Sequence, residues 1–180
     1  MIRFPFQWVL PFMASAAFAA DASEFQSSVI AQADGFVVIA GAVAPPDKAT
    51  TYTALFDAKS AAPKPDALLP AINMAGSELN GLGVAQVPLS HAKFAIVFHG
   101  AALEGLLRQD LYRRKFGVPN PNLVVLAALK KAGVELLACG QQMVSDGLTP
   151  AMISSDVTIA SDALLVLMSY QNRGYALMSF

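Results

Sequence analysis

Cysteine, histidine and net charge are all scarce in this sequence. Its 180 residues include one cysteine and two histidines, and the formal net charge at pH 7 is −1. One cysteine cannot close an internal disulfide, and these few, widely spaced side chains do not make a zinc-ligand pattern. A net charge so close to zero gives no electrostatic basis for binding nucleic acid. We therefore expect no metal ion, no cofactor and no nucleic-acid partner.

Charged residues make up only 14% of the sequence, whereas hydrophobic residues make up 55%. A chain this apolar needs strands buried on both faces, or an interface between subunits, to cover its hydrophobic surface. A glycine-rich phosphate loop and a Gly-x-Ser-x-Gly elbow are also missing, because Gly100 and Gly140 stand singly after predicted strands. The sequence therefore argues against a phosphate-binding loop and a serine hydrolase.

The first residues have the pattern of a secretory signal peptide. Met1-Ile2-Arg3 gives a short positive start, residues 4–18 are mostly apolar, and Ala17-Phe18-Ala19 fits a small-x-small cleavage site. An uncleaved anchor is the alternative, but two prolines and a glutamine interrupt the run, which barely reaches the length of a spanning helix. We expect a signal peptide over residues 1–19, no stable membrane span, and a periplasmic or secreted protein.

The remaining chain suits one domain preceded by an extension. Residues 20–50 are predicted to form this N-terminal extension, with a strand-like run over 35–43 laid on the edge of the domain. Beyond it, apolar strand-like runs alternate with amphipathic stretches that end at glycines such as Gly83. The order β-α-β-α-α-β-α-β-α-β predicts a three-layer α/β domain over 51–180, with a mostly parallel sheet of about five strands.

The single cysteine lies at the end of one of these strands. Val134 to Cys139 reads as a buried strand that stops at the turn Gly140-Gln141-Gln142. In open parallel sheets, reactive groups collect beyond the carboxyl ends of the strands. Cys139 is therefore a candidate nucleophile, and the amides of Gly140, Gln141 and Gln142 would bind a thiolate or an anion. The alternative is that Cys139 is a small buried hydrophobic residue beside an exposed turn.

Two further side chains are predicted at the same edge of the sheet. His99 follows the strand Phe94–Phe98, and Asp57 marks the end of the strand at 51–56. His99 would assist the thiol and Asp57 would contact the site. A structural alternative exists for each, because a strand-end histidine is often only a hydrogen-bonding group and an aspartate often only a cap.

Several segments of the chain form a recognisable combination. They are FGVPNPNL at 116–123, KAGVE at 131–135, Cys139-Gly140-Gln141 and GYAL at 174–177. In this order they resemble the DsrE/DsrF-like (YchN-like) sulfur-relay family, most closely its exported branch. The strands at 52–57 and 97–100, the second ending in His99-Gly100, are similar to the family's first two core strands. The resemblance spans about residues 51–180.

The resemblance implies a Rossmann-like fold that is usually assembled as trimers or hexamers. In intracellular members of the family, a cysteine accepts sulfane sulfur as a persulfide and passes it to a partner protein. Cys139 is similar in position to that cysteine, and His99 to the strand-end histidine of the exported branch. The resemblance thus implies a homo-oligomer with a sulfur donor or acceptor protein as its partner.

Three functions follow from these observations. The first is an exported protein that binds or relays sulfane sulfur as a persulfide on Cys139, with His99 and the following amides favouring the thiolate. The second is a non-catalytic oligomeric module for ligand binding or interaction, in which Cys139 is buried. The third, a Cys-His acyl-transfer enzyme, needs a group that orients the histidine, and the sequence identifies none. Whether the protein is an enzyme resembling a sulfurtransferase or only a carrier stays open at this stage.

Overall fold

The computed structural model describes residues 24–180, so the predicted signal peptide at 1–19 lies outside the described residues. Within this range the strands are β1 (Tyr52–Ala58), β2 (Ala92–Phe98), β3 (Glu135–Cys139), β4 (Thr158–Ala160) and β5 (Ala176–Ser179). The α-helices are α1 (Pro70–Val84), α2 (Gln109–Phe116), α3 (Asn122–Lys131), α4 (Gly140–Ser145) and α5 (Ala163–Asn172). Short 3-10 helices cover Leu89–His91, Gly100–Leu106 and Pro150–Met152.

The five strands of residues 24–180 form one sheet in the order β4-β3-β2-β1-β5. Every neighbouring pair is parallel. Parallel neighbours require crossover connections, and the intervening helices provide them. The predicted fold class is confirmed: the domain is three-layer α/β and Rossmann-like, with a parallel sheet of five strands.

The two faces of the sheet are covered to different extents. Helices α1 and α3 pack against one face, where Phe56 and Phe98 belong to the larger hydrophobic core. Helix α5 packs across β1 and β2 on the opposite face, over a smaller core that includes Val97 and Cys139. Because side chains alternate between faces along a strand, this places the thiol in the layer between the sheet and α5.

The N-terminal extension contributes to the main core, whereas the sequence predicted an addition at the edge. Ile30 is 1% exposed and packs in the core together with Ala33. The fully buried Asn80 of α1 accepts hydrogen bonds from the amides of Val29 and Ile30, at 2.8 and 2.7 Å. Its amide group donates to the carbonyl oxygens of Ile30 and Asp34, both at 3.0 Å. One buried side chain therefore satisfies four backbone groups of the extension.

Gly83 does not stop α1, as the sequence predicted, but lies within its last turn. A Cβ atom at this position would lie 2.5 Å from Ser28 Oγ and 2.6 Å from Val29 Cγ2. The glycine thus allows the extension to approach the helix closely. The predicted strand over 35–43 is also wrong, because only an isolated bridge between Gln26 and Phe36 forms there. Phe36 turns its ring toward Gly81 of α1, so packing on the helix replaces sheet pairing.

No helix within residues 24–180 is both long and apolar enough to cross a membrane. In the same part of the chain, no group of three or more His, Cys, Asp or Glu side chains is arranged to hold a metal ion.

Candidate functional site

Parallel pairing brings Asp57, His99 and Cys139 to one edge of the sheet. Phe98 of β2 pairs with Ala138 of β3, so the next residues, His99 and Cys139, continue neighbouring strands by one step in the same register. Asp57 is the penultimate residue of β1, whereas the sequence predicted that the strand ends before it. Its backbone pairs with that of Val97 in β2. Because side chains alternate between the two faces along a strand, all three belong to the face of the sheet that α5 covers.

The imidazole of His99 is held by a carboxylate. His99 Nε2 lies 2.6 Å from Asp57 Oδ1, and the side chains are 24% and 12% exposed. Ser179 at the end of β5 donates its hydroxyl to Asp57 Oδ2 at 3.1 Å. With Nε2 occupied by Asp57, the Nδ1 atom is the ring nitrogen left for other partners. The hydrogen bonds from Ser179 to Asp57 and between Asp57 and His99 therefore fix the orientation of the imidazole ring.

The sulfur of Cys139 is surrounded by backbone donors. Its Sγ atom accepts a hydrogen bond from the amide of Gln142 at 3.5 Å and from the amide of Ala163 at 3.3 Å. Cys139 is the N-cap residue of α4, and the residue as a whole is 4% exposed. Backbone N–H groups pointing at a sulfur stabilise negative charge on it. Among the described residues, both hydrogen bonds of this sulfur come from amides and none from His99.

The backbone of α4 starts close to the connection that follows β4. A Cβ atom on Gly140 would lie 2.7 Å from the carbonyl oxygen of Ala160. The amide of Gln141 also donates to the carbonyl oxygen of Ser161, at 3.2 Å. Glycine at 140 therefore permits the close approach that brings the start of α5 to the sulfur. This explains why Ala163, 24 positions beyond Cys139, donates to it.

Cys139 and His99 line one cavity of about 330 Å³. The other lining residues come from α4 and from the start of α5, and they are Gln141, Gln142, Ser145, Asp162, Ala163 and Leu164. A volume of this size suits a small ligand or the end of a flexible side chain. A larger and more open groove of about 930 Å³ lies near Arg108 and Ser154, but it contains none of the predicted site residues. The smaller cavity is therefore the candidate site.

The structure places the predicted residues unevenly in this site. Cys139, His99, Gln141 and Gln142 line the cavity, whereas Asp57 contacts it only through His99. Of the three amides expected to bind a thiolate or an anion, that of Gln142 reaches the sulfur and that of Gln141 is used by Ser161.

Five lining or supporting residues were not predicted from the sequence: Ser145, Asp162, Ala163, Leu164 and Ser179. Ser179 lies at the end of β5, and Asp162 caps the start of α5, where its carboxylate accepts a hydrogen bond from the amide of Leu165 at 3.1 Å. Ala163 has no side-chain signal at all, because its contribution is a backbone amide. The order of strands in the sheet, which places β5 beside β1, is what brings Ser179 to Asp57.

A family model described as the DsrE/DsrF-like family matches residues 37–180, which starts earlier than the resemblance noted from residue 51. The chain is similar to a structure of a protein of unknown function from Methanobacterium thermoautotrophicum, at 13% identity and a TM-score of 0.47. That similarity covers 72% of this chain and 99% of the other. No curated relative matches the chain. Since the family model spans most of its length, the chain belongs to the DsrE/DsrF-like family.

Proposed function

We propose that the protein binds and relays sulfane sulfur as a persulfide on Cys139. The observation that carries the proposal is the pair of amides, from Gln142 and Ala163, that point at the sulfur inside a cavity shared with His99. Membership of the DsrE/DsrF-like family supports the same chemistry, because the resemblance implies sulfur relay in the family's intracellular members.

The proposed step is a thiol exchange on sulfur. The Cys139 thiol gives its proton to His99, whose Nδ1 is free of Asp57, and the thiolate attacks the outer sulfur of a donor persulfide. One sulfur–sulfur bond forms to Cys139 while the bond within the donor breaks, and the donor leaves as a thiolate that takes up the proton. No metal, cofactor or external oxidant enters this balance. An acceptor thiol repeats the exchange and removes the sulfur from Cys139.

A second candidate function rests on the low exposure of the cysteine. At 4% exposed, Cys139 has the burial expected of a structural thiol, and the hydrogen bonds to its sulfur also make it a helix cap. In this reading the protein is a non-catalytic oligomeric module for ligand binding or interaction. An acyl-transfer enzyme has less support, because the amides rather than His99 hold the sulfur, although Asp57 does orient the histidine.

Assembly and export complete the proposal. Leu164, Leu165 and Met168 of α5 are each more than half exposed, a pattern that favours packing against another copy of the chain, as in a trimer or hexamer. The leader-like pattern over residues 1–19 supports work in the periplasm or outside the cell, on sulfur delivered by a donor protein or passed to an acceptor.

The test is the intact mass of the exported protein before and after incubation with polysulfide, and again after a reductant. We expect a gain of one or more sulfur atoms that the reductant removes and that the variant Cys139→Ser does not acquire. A mass that stays unchanged, together with a thiol that is alkylated only after denaturation, would reject the carrier and leave the binding module.

A further inference from the structure

The cavity beside Cys139 carries negative rather than positive charge. Among its lining residues within the described range there is no lysine or arginine, and Lys59, which follows β1, is not one of them. Asp162 lines the cavity, and the carboxylate of Asp146 lies 2.9 Å from Gln142 Nε2. The carboxylate of Asp57 lies behind His99. His99 becomes a cation only while it holds the proton of Cys139, and the adjacent Asp57 carboxylate then offsets its charge. An anion entering this cavity would therefore approach carboxylates without a Lys or Arg side chain to offset them.

Four backbone N–H groups around the sulfur are also already engaged. The amide of Gln141 donates to Ser161, and that of Leu165 donates to Asp162. Those of Gln142 and Ala163 both donate to the Cys139 sulfur. Binding of oxyanions such as thiosulfate usually relies on free backbone N–H groups or on Lys and Arg side chains. The lining residues include no Lys or Arg, and four backbone N–H groups beside the sulfur already have acceptors, so an anionic sulfur donor finds few groups to bind it.

An apolar side chain stands at the mouth of the cavity instead. Leu164 lines it and is 63% exposed. Contact with such side chains favours an uncharged, apolar substituent over a hydrated anion. Gln141 remains as an exposed neutral amide at the same site.

We infer that the cavity selects uncharged sulfane sulfur donors, such as dialkyl trisulfides, over anionic donors such as thiosulfate. This inference rests on the proposed function and names the donor class. The Cys139 thiolate attacks the central sulfur of the trisulfide, a bond forms between these two sulfurs, and the bond to one outer sulfur breaks. That outer sulfur leaves as an alkyl thiolate and takes up the proton of the Cys139 thiol. Cys139 then holds the sulfane sulfur in an alkyl trisulfide, with no net oxidation or reduction.

The test compares donors that differ in charge, with a free thiol as reference. Rate constants for dimethyl trisulfide and thiosulfate at Cys139 are measured by intact mass and divided by the rates of the same donors with N-acetylcysteinamide, an uncharged thiol. We expect the normalised rate to be about tenfold or more higher for the trisulfide, the size of effect that local charge has on encounter rates. Equal normalised rates would overturn the inference.

A second pair of reagents keeps the reacting group constant. Ethyl methanethiosulfonate is neutral and sulfonatoethyl methanethiosulfonate is an anion, and both modify thiols by the same displacement. We expect the neutral reagent to be favoured at Cys139 by a similar factor. If both reagents react quickly without a preference, the cavity does not select by charge and only the inference fails. If neither reagent reacts until the protein is denatured, the thiol is sealed and the proposed function fails with it.

A substitution at Gln141 can add a positive charge to the site. In Gln141→Lys we expect the normalised thiosulfate rate to rise by about tenfold and the gain to shrink in high salt, because screening weakens the attraction. Gln141→Met, of similar length and without charge, is the matched control and should show no such gain. An equal rise in both variants would show that the side chain blocks access rather than setting charge, and would contradict the inference.

Discussion

At the scale of single residues, the site depends on a histidine that is held by a carboxylate. Asp57 is buried at the end of β1, with His99 Nε2 at 2.6 Å and the Ser179 hydroxyl at 3.1 Å. Such an arrangement restricts the ring to one orientation and one set of hydrogen-bonding roles. Asp57 does not line the cavity, so we regard it as a positioning residue that acts through His99.

The first prediction concerns this positioning. Asp57→Asn keeps the size of the side chain but removes the negative charge that orients His99. We expect the rate of Cys139 persulfide formation to fall by about tenfold or more, as it does when a general base is impaired, and His99→Gln to have a similar effect. Reaction rates of both single variants and of the double variant, measured by intact mass, check this.

The double variant provides the control for the positioning role. If Asp57 acts through His99, the double variant should be no slower than His99→Gln alone. Independent, additive losses would contradict the prediction. Urea unfolding of each variant separates slower chemistry from a loss of folded protein.

At the scale of elements, one buried side chain holds the extension on α1. Asn80 makes four hydrogen bonds to residues 29–34, and Gly83 leaves room for the chain that carries them. Buried backbone groups without partners are costly, so removal of the amide affects the extension more than the helix itself. The extension is thereby coupled to the domain.

The second prediction tests that coupling. Asn80→Ala leaves several backbone groups of the extension without partners and should lower the free energy of unfolding by about 2 to 4 kcal/mol. Urea denaturation measures this loss, and limited proteolysis should show faster cleavage within residues 24–50. Asn73→Ala is the control, because Asn73 bonds only the exposed Asp34. An equal loss in both variants would contradict the role assigned to Asn80.

The opposite end of the sheet is held by a tyrosine of α5. Tyr170 donates its hydroxyl to Glu135 Oε2 of β3 at 2.8 Å, and the Arg173 guanidinium stacks on the Tyr170 ring at 3.7 Å. Burial, with a further contribution from the hydrogen bond to Glu135, raises the pKa of Tyr170 above its ordinary value of 10.0. The fold therefore favours the neutral phenol, which is the form that can donate to the carboxylate.

The third prediction follows from the direction of this shift. A pKa raised by folding contributes stability at pH values below 10, and the contribution is lost as the pH rises through the folded-state pKa. Tyr170→Phe should cost about 1 to 2 kcal/mol at pH 7. The difference in unfolding free energy between wild type and variant should shrink above pH 10. Urea denaturation at several pH values checks this, and a constant difference would contradict it.

At the scale of the whole molecule, the outer surface of α5 remains apolar. Leu165 and Met168 are 56% and 53% exposed, and they continue toward Leu164 at the cavity. Isolated exposed apolar residues are ordinary, but several on one helix indicate an interface. Helix α5 also covers the smaller of the two hydrophobic cores. A second copy of the chain packed on α5 would therefore bury this side of the domain further.

The fourth prediction is that this face mediates self-association. Met168→Glu places a charge at the centre of the exposed face of α5 and should shift the protein toward monomer, because burying an unpaired charge is unfavourable. Size-exclusion chromatography with light scattering measures the shift. Val43→Glu is the matched control, since Val43 is 93% exposed on the extension and should not change the mass. A monomeric wild type would contradict the prediction.

The sequence by itself determined the type and order of the core elements. Apolar runs, proline positions and glycines act over a few neighbouring residues, and these local preferences predicted five core strands separated by helices. They also placed Cys139, His99 and Asp57 at the carboxyl ends of strands, because a parallel sheet has one such edge. The predictions failed where glycines served packing, as at Gly83, and where an apolar run packed on a helix, as at Phe36.

Tertiary structure alone decided how the site residues meet. The bond from Ser179 to Asp57 requires β5 to lie beside β1, and that from Ala163 to the sulfur requires α5 to begin next to α4. The partners of Asn80 likewise lie some fifty positions earlier in the chain. Local preferences cannot specify contacts between distant segments, because strand order and helix placement are set by burial over the whole molecule. The set of residues that line the cavity, and therefore its charge, is decided in the same way.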